Sequence, residues 1–410
     1  MHWYRTITPQ QWKTLAAAQL GWMLDAMDVM LYAFALTAIR SEFGLTSAEA
    51  GALASITLVS SAVGGALFGV LADRIGRARA LMYSILTYSV FTALTATSGS
   101  MAELLIWRML VGIGMGGEWS AGSVLVSESW PAAHRGKAIG LMQAGWAIGY
   151  ILAAILAALV LPDFGWRVLF VFGLLPALLA AWIRRSVEEP VVWREGKASA
   201  HPSPLNALKQ IFHPPLLSKT LTASVITTSV LFAYWGLFTW MPTFLSTPVS
   251  QGGAGMTLVR TSTWIVPMQI GAFFGYTSFG FLADRFGRRP VFVTFLASAA
   301  ILVPIYGQLG HQETLLLVLG PLIGFFGHGY FSVFGAMLAE LFPTSIRASA
   351  QGFAYNAGRA LSALAPYTIG ALADQYGIGS ALGLTSAFFL AGAGLIFLLP
   401  ETRGKELNAG

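Results

Sequence analysis

The 410-residue chain contains no cysteine and few charged residues. The absence of cysteine excludes disulfides and thiolate metal sites, although it does not identify the compartment. Only 10% of the residues are Asp, Glu, Lys or Arg, against about 25% in an ordinary soluble domain. A soluble protein with so little charge could not cover its own surface. Lipid must therefore be the solvent for most of this chain.

Long apolar runs make up most of the sequence, and 56% of the residues are hydrophobic. A helix needs about 20 mostly apolar residues to cross a bilayer. The first run contains Asp25 and Asp28 and lacks a small-residue cleavage site, so no cleavable signal is expected. The runs between charged or Gly/Pro-rich breaks predict twelve transmembrane helices, at 15–38, 50–72, 79–98, 101–124, 137–161, 167–184, 219–241, 257–282, 290–309, 313–337, 349–372 and 379–399.

Positive charge is divided unevenly between the two sides of these spans. An even number of spans puts both termini on one side, and nineteen of the 24 Lys and Arg residues fall there. Only Arg40, Arg167 and Arg260 fall on the other side, while Arg108 and Arg359 lie inside spans. Because cytoplasmic loops carry the positive excess, both termini are predicted to be cytoplasmic. The net charge of +6 therefore reflects topology, and no nucleic-acid partner is expected.

The longest polar interval divides the spans into six and six. It contains Glu188-Glu189-Pro190 and Pro214-Pro215, and proline prevents a continuous helix through it. We therefore expect an N-terminal bundle at 1–184, a cytoplasmic linker at 185–218 and a C-terminal bundle at 219–410.

The two halves carry the same short motifs at a nearly constant offset. The segment GVLADRIGR at 69–77 matches GFLADRFGR at 280–288, 211 residues later. A second set recurs 212 residues on, where Glu128, Pro131, Arg135 and Gly140 match Glu340, Pro343, Arg347 and Gly352. Parallel six-helix repeats of this kind place a substrate site near the bilayer midplane, between the halves. The expected fold is an all-α membrane protein with two pseudo-symmetric six-helix bundles.

The repeated loop resembles the signature of the major facilitator superfamily, and the resemblance covers essentially the whole chain. The segment 108–118 resembles the family's RxxxGxGxG helix, and 400–407 resembles the PETKG ending of sugar porters, organic-ion transporters and metabolite–proton symporters. The segment LDAMD at 24–28 is similar to the LDGFD of bacterial aromatic-acid and sialate proton symporters, with Ala26 and Met27 replacing Gly and Phe. The resemblance implies the major facilitator fold and secondary transport, usually by a monomer. Together with the compact outer loops, it implies a bacterial inner membrane.

Three acidic residues inside spans are candidates for proton coupling. A charge inside a span costs about 2.5–3.5 kcal/mol on insertion scales. Asp25 and Asp28 share one helix face, and Arg108 lies at a similar depth in the fourth span. A carboxylate that alternately pairs with Arg108 and takes a proton would couple proton entry to substrate binding. Two alternatives stay open, a static ion pair that joins the helices and a packing role for Glu118 among its glycines.

Two arginines inside spans indicate a negatively charged substrate. Arg108 and Arg359 come from different halves, and two guanidinium groups suit a carboxylate. The alternative for Arg359 is a salt bridge to another span. His328 is a further titratable candidate. Other polar or aromatic candidates for contact with the substrate are Trp119, Trp146, Tyr150, Tyr234, Tyr355 and Asn356, with Trp235, Gln143 and Gln269 of similar standing.

The repeated loops and their charged neighbours are expected to form a cytoplasmic gate, because in the family this loop is a conformational latch. The alternative is that the loops only retain positive charge on the cytoplasmic side. The expected gate residues are Gly69, Asp73, Arg74, Arg77, Glu128, Arg135, Gly280, Asp284, Arg285, Arg288, Glu340 and Arg347.

These features predict proton-coupled symport of a small organic-acid anion by alternating access across the lipid bilayer. The proton gradient is the expected driving force, without a cofactor or metal. Alternatives are a proton-independent facilitator or exchanger of organic anions, and a drug-exporting proton antiporter. An enzyme is not expected, because HExxH, GxSxG and a phosphate-binding loop are absent. A sensor would usually carry a sizeable soluble domain.

Overall fold

The computed structural model describes residues 7–190, 211–332, 337, 341–342 and 347–401. At a few positions inside these ranges it describes only the backbone. The described residues are almost entirely helical and include no strand. We call the side of the bundle at which the first helix begins the terminal side, and the side at which that helix ends the far side.

The first half contains six long helical segments. Threonine side chains cap the first two, since Thr8 and Thr46 each accept a hydrogen bond from a backbone N–H of the first turn. The fifth segment is broken at Gly165, where φ is 74° and the chain turns from one span into the next. The helices are α1 (Pro9–Phe43), α2 (Ser47–Ile75), α3 (Arg77–Thr95), α4 (Met101–Ser129), α5 (Ala132–Val171) and α6 (Pro176–Ser186).

The second half contains more helices because short breaks divide single spans. Only Ala363 separates α12 from α13, and only Gly383 separates α14 from α15. The described helices are α7 (Pro214–Phe238), α8 (Met241–Ser246), α9 (Leu258–Phe286), α10 (Arg288–Gln308), α11 (Glu313–Gly329), α12 (Arg347–Ser362), α13 (Leu364–Tyr376), α14 (Ile378–Leu382) and α15 (Leu384–Leu395).

The helices account for twelve membrane crossings. Eight segments of the described chain are long and apolar enough to cross a membrane, and one of them, Lys137–Ser186, has the 50 residues of two spans. The helix α3, the helix α11 and the α12–α13 pair supply the other three. The arrangement agrees with the twelve spans predicted from hydropathy.

The predicted linker differs from the structure at its ends. Helix α6 continues to Ser186, and α7 begins at Pro214 rather than at residue 219. Pro214 and Pro215 do not break a helix but occupy the first turn of α7, where a backbone N–H has no partner within the helix. Residues 191–210 of the linker lie outside the described residues.

Helices α2 and α4 pack backbone against backbone. A Cβ atom at Gly112 would lie 2.2 Å from the carbonyl oxygen of Thr57, and one at Gly116 would lie 1.9 Å from that of Ser61. Small residues allow such close approach, which favours helix association in lipid. The glycine-rich segment of α4 therefore fixes this helix against α2 and sets the position of Arg108 in the interior.

We expect Gly116→Ala to destabilise the protein by about 1–3 kcal/mol, because the added methyl group must push α2 and α4 apart. Thermal unfolding in detergent measures this change. Gly394→Ala is the control, since a Cβ there meets no atom within 4 Å. Equal midpoints for the two variants would contradict the packing argument.

Candidate functional site

Five charged side chains are buried within the described chain, and they are the five that the sequence singled out. Asp25, Asp28 and Glu118 are 0% exposed, Arg108 is 1% exposed and Arg359 is 3% exposed. The first four belong to α1 and α4, while Arg359 belongs to α12 of the other half. We call these five residues the charge cluster.

The acids of the charge cluster make no direct ion pair with any residue that the structure describes. Both carboxylate oxygens of Asp25, Asp28 and Glu118 lack a hydrogen-bond partner among the described residues, and so do Nε and Nη1 of Arg108. Asp25 is still within electrostatic reach of Arg108 and Arg359, and Glu118 is within reach of Asp25 and Arg359. The cluster thus holds opposite charges close together without a direct salt bridge between its described side chains.

Arg108 rests against an aromatic ring instead of the predicted carboxylate. Its guanidinium carbon lies 4.7 Å from the ring centroid of Tyr32, a cation–π distance. The hydroxyl of Tyr32 donates to the carbonyl oxygen of Ala50 at 2.7 Å, which holds the ring in place. The direct pair of Arg108 with Asp25 or Asp28 that the sequence suggested is therefore not formed here.

Uncharged residues of the first half complete the surroundings of the charge cluster. A Cβ atom at Gly21 would lie 2.5 Å from Glu118 Oε1, so the carboxylate of Glu118 packs directly against the backbone of α1 at this glycine. Tyr88 directs its hydroxyl at the carbonyl oxygen of Gly21, 3.5 Å away, and Thr92 lies beside Asp28. Tyr88 and Thr92 could not be recognised from the sequence, because hydroxyl residues are common in apolar helices and carry no charge.

Predicted substrate residues of α4 and α12 meet across the two halves. Trp119 and Tyr355 stack with ring centroids 4.3 Å apart and an interplanar angle of 13°. Asn356 lies against α2, since its Oδ1 would be 3.0 Å from a Cβ at Gly65. Arg359, one turn further along α12, is therefore anchored beside the first half.

The remaining predicted substrate residues join α5 to α7. The indole N–H of Trp146 donates a hydrogen bond to the hydroxyl of Tyr234. The hydroxyl of Tyr150 donates to the carbonyl oxygen of Phe238 at 3.0 Å. Both contacts cross from one half to the other, so these residues lie at the contact between the halves.

The first repeated loop is held on the terminal side by residues of its own half. Arg77 donates from Nε and Nη2 to Glu128, at 3.1 and 3.2 Å. Glu189, which follows α6, accepts hydrogen bonds from the backbone N–H groups of Ala78 and Arg79 at 3.2 and 3.1 Å. The negative carboxylate thus sits at the positive end of α3.

The second loop repeats this arrangement. Glu401 accepts hydrogen bonds from the backbone N–H groups of Arg288 and Arg289, both at 3.0 Å. Glu401 lies 212 residues after Glu189, which is the offset of the second set of repeated motifs. The internal repeat could therefore have identified both glutamates. Neither glutamate was predicted as a gate residue.

Few contacts are described for the other predicted gate residues. Gly69 and Gly280 have open space at the Cβ position, and Arg74 and Arg285 are exposed. Glu340 lies outside the described residues, as do the side chains of Asp73, Arg135, Asp284 and Arg347. A latch between the halves at these loops stays a prediction.

The two halves are in direct contact on the far side. The carboxylate of Asp374 in α13 accepts hydrogen bonds from the backbone N–H groups of Ser47 and Ala48 at the start of α2, both at 3.1 Å. Thr37 and Ser246 approach each other from α1 and α8, with their hydroxyl oxygens 3.4 Å apart.

Two six-helix bundles with charged side chains buried between them define a membrane transporter rather than an enzyme. The family model of the Major Facilitator Superfamily matches residues 20–276 and 253–410. The chain belongs to this family, and the predicted major facilitator fold is confirmed.

Several named transporters are similar to this chain over nearly their whole length. A probable 4-methylmuconolactone transporter of Cupriavidus pinatubonensis is 37% identical over 414 residues, covering 99% of this chain and 94% of that protein. A cis,cis-muconate transport protein of Acinetobacter baylyi is 33% identical over 383 residues, covering 92% and 91%. The crystal structure of a D-xylose–proton symporter superposes with a TM-score of 0.77 at 20% identity, covering 97% of this chain and all of that one, and it bears on the fold alone.

We expect a disulfide to form readily between the two introduced cysteines of Thr37→Cys/Ser246→Cys, since the chain has no other cysteine and these side chains touch. Adding Asp374→Asn should lower the cross-linking yield by about half or more, because the uncharged amide is a weaker partner for the positive end of α2. Gel mobility after mild oxidation measures the yield. Asp163→Asn, at an exposed carboxylate, is the control. An unchanged yield in Asp374→Asn would contradict a stabilising role for this contact.

Proposed function

We propose that this protein carries a small organic-acid anion together with protons by alternating access between its two halves. The observation that carries the proposal is the charge cluster, in which unpartnered carboxylates lie beside an arginine whose Nε and Nη1 are also unpartnered. The proton gradient supplies the energy, and no cofactor takes part.

The charge balance of the cluster explains why an anion would bring a proton with it. Three carboxylates and two arginines leave one surplus negative charge when all are ionised. Buried like charges cannot all stay ionised cheaply, so the empty site favours holding a proton. A substrate carboxylate adds another negative charge, and a further proton would neutralise it.

Arg108 is the group best suited to receive the substrate carboxylate. Its guanidinium rests on Tyr32 and forms no ion pair with a described residue, so binding an anion there breaks no salt bridge of the described chain. Arginine stays charged and can hold a carboxylate with two parallel hydrogen bonds. Arg359 approaches from the other half, so an anion held between the two arginines would draw the halves together.

The named relatives support the substrate class. Two of them are named for muconate and 4-methylmuconolactone, which are organic acids or derived from them. The excess of Lys and Arg on the terminal side supports placing both termini in the cytoplasm of a bacterial cell, with the chain in the inner membrane. We propose that it acts as a monomer. On this basis, the far-side contact of Asp374 would face away from the cytoplasm.

The test is uptake into proteoliposomes under an imposed pH gradient, with benzoate and cis,cis-muconate among a panel of carboxylates. If one proton enters with each monovalent anion, no net charge crosses the membrane. The accumulation ratio of the anion should then rise about tenfold for each pH unit of gradient. Protein-free liposomes correct for diffusion of the protonated acid. Uptake that does not depend on the gradient would favour the facilitator, and failure with every carboxylate would overturn the proposal.

We expect Asp25→Asn to abolish accumulation while exchange of internal for external anion continues. The carboxylate of Asp25 lies within reach of both arginines, so it is the candidate to carry the proton. Asp28→Asn is measured beside it, because Asp28 is equally buried. Asp163→Asn should leave both activities unchanged. Full accumulation in both Asp25→Asn and Asp28→Asn would contradict a role of these acids in coupling.

A further inference from the structure

A group of aromatic side chains lies beside the charge cluster at the contact between the halves. We call Trp22, Trp146, Tyr234, Trp235 and Phe238 the aromatic cluster. Trp146 lies 4.6 Å from Trp22 and 5.9 Å from Trp235 between ring centroids, and Tyr234 lies 5.3 Å from Trp235. Flat apolar faces of this kind suit a flat, unsaturated substrate body.

The aromatic cluster begins at the arginine that would hold the carboxylate. Arg108, Tyr32 and Trp235 line one small cavity between α1, α2, α4 and α7. The indole N–H of Trp235 has no hydrogen-bond partner among the described residues. This end of the site therefore presents N–H groups of Arg108 and Trp235 that have no partner in the described chain, and such donors suit a carboxylate.

The aromatic cluster ends at a buried histidine on α11. His328 is 0% exposed, and its ring centroid lies 5.1 Å from that of Tyr234 and 4.0 Å from that of Phe238. Its Nδ1 lies 3.1 Å from the carbonyl oxygen of Gly324, while its Nε2 has no partner in the described chain. The mechanism above makes no use of this group.

The contact of Nδ1 with Gly324 determines whether Nε2 of His328 donates or accepts a hydrogen bond. A carbonyl oxygen only accepts hydrogen bonds, so Nδ1 must carry the hydrogen and donate it. Aromatic rings surround His328 without a described ion-pair partner, and such surroundings disfavour a charged ring. The neutral ring then presents a lone pair at Nε2. A buried acceptor of this kind requires a donor.

We propose that Nε2 of His328 accepts a hydrogen bond from a hydroxyl group of the substrate. This inference rests on the proposed function, since it assumes a carboxylate bound at Arg108. The transported acid would then be a hydroxy acid with an unsaturated body between its carboxylate and its hydroxyl. Because the Trp146–Tyr234 contact crosses the interface, separation of the halves would give such a molecule access to the histidine.

Equilibrium binding to the purified protein tests the inference with four probes: benzoate, 3-hydroxybenzoate, 4-hydroxybenzoate and 4-methoxybenzoate. One of the two hydroxy acids should bind about tenfold more tightly than benzoate, the effect of supplying a donor to a buried acceptor. The methoxy compound should gain nothing, because it accepts but cannot donate. A wild-type protein without this preference overturns the inference.

Three variants test whether His328 causes the preference for an acid that carries a hydroxyl group. His328→Phe should reduce it to about twofold or less, because phenylalanine keeps a ring but lacks the acceptor. His328→Gln should restore part of it through its amide oxygen. Tyr306→Phe, which removes an unpartnered buried hydroxyl outside the aromatic cluster, should leave it unchanged. An unchanged preference in His328→Phe overturns the inference.

The results also separate this inference from the proposed function. Carboxylates that bind and are transported with no preference for a hydroxyl leave the proposed function standing and overturn the role of His328. If no carboxylate binds at all, the proposed function fails and this inference fails with it.

Discussion

Three carboxylates and two arginines are buried close together in this protein, and no direct ion pair forms among them in the described part of the chain. Removing a charge from water costs several kcal/mol unless a close partner compensates it. Here the opposite charges lie near one another but form no direct salt bridge. Arg108 rests on the ring of Tyr32, and the carboxylate oxygens accept no hydrogen bond from the described chain. A site of this kind can lower its free energy by taking up protons or an anion. The charges of this site therefore link proton uptake to anion binding.

Close glycine packing supports this cluster within the first half, and both glycine packing and polar contacts join the two halves. A Cβ atom at Gly51 of α2 would lie 2.4 Å from the carbonyl oxygen of Pro366 in α13. Within the first half, glycines let α4 approach α2 so closely that one added methyl group would collide with a backbone oxygen. Between the halves, the described polar contacts are a few single hydrogen bonds and the cap that Asp374 provides for α2. If the bundles rotate against each other, as the proposed mechanism requires, Arg359 of the second half would move relative to the four buried charges of the first half.

Hydropathy and the internal repeat predicted the twelve spans and the two-bundle fold, because lipid imposes a simple length rule on every helix. The five buried charges could also be found, since a charge inside an apolar run is conspicuous. Pairing could not be predicted, because the choice of Arg108 between a carboxylate and an aromatic ring depends on side-chain geometry. Uncharged partners such as Tyr88 and Thr92 gave no signal. The caps supplied by Glu189 and Glu401 could have been found, since these residues repeat at the offset of the other motifs.

An anion that enters the charge cluster should bring a proton with it. This can be measured by mixing the purified protein with a carboxylate that it binds, in weakly buffered detergent solution with a pH indicator, at a pH above the pKa of the free acid. We expect an uptake of about one proton per anion bound, and a smaller uptake in Asp25→Asn. Binding of the anion with no change in bound protons would show that the two are not coupled.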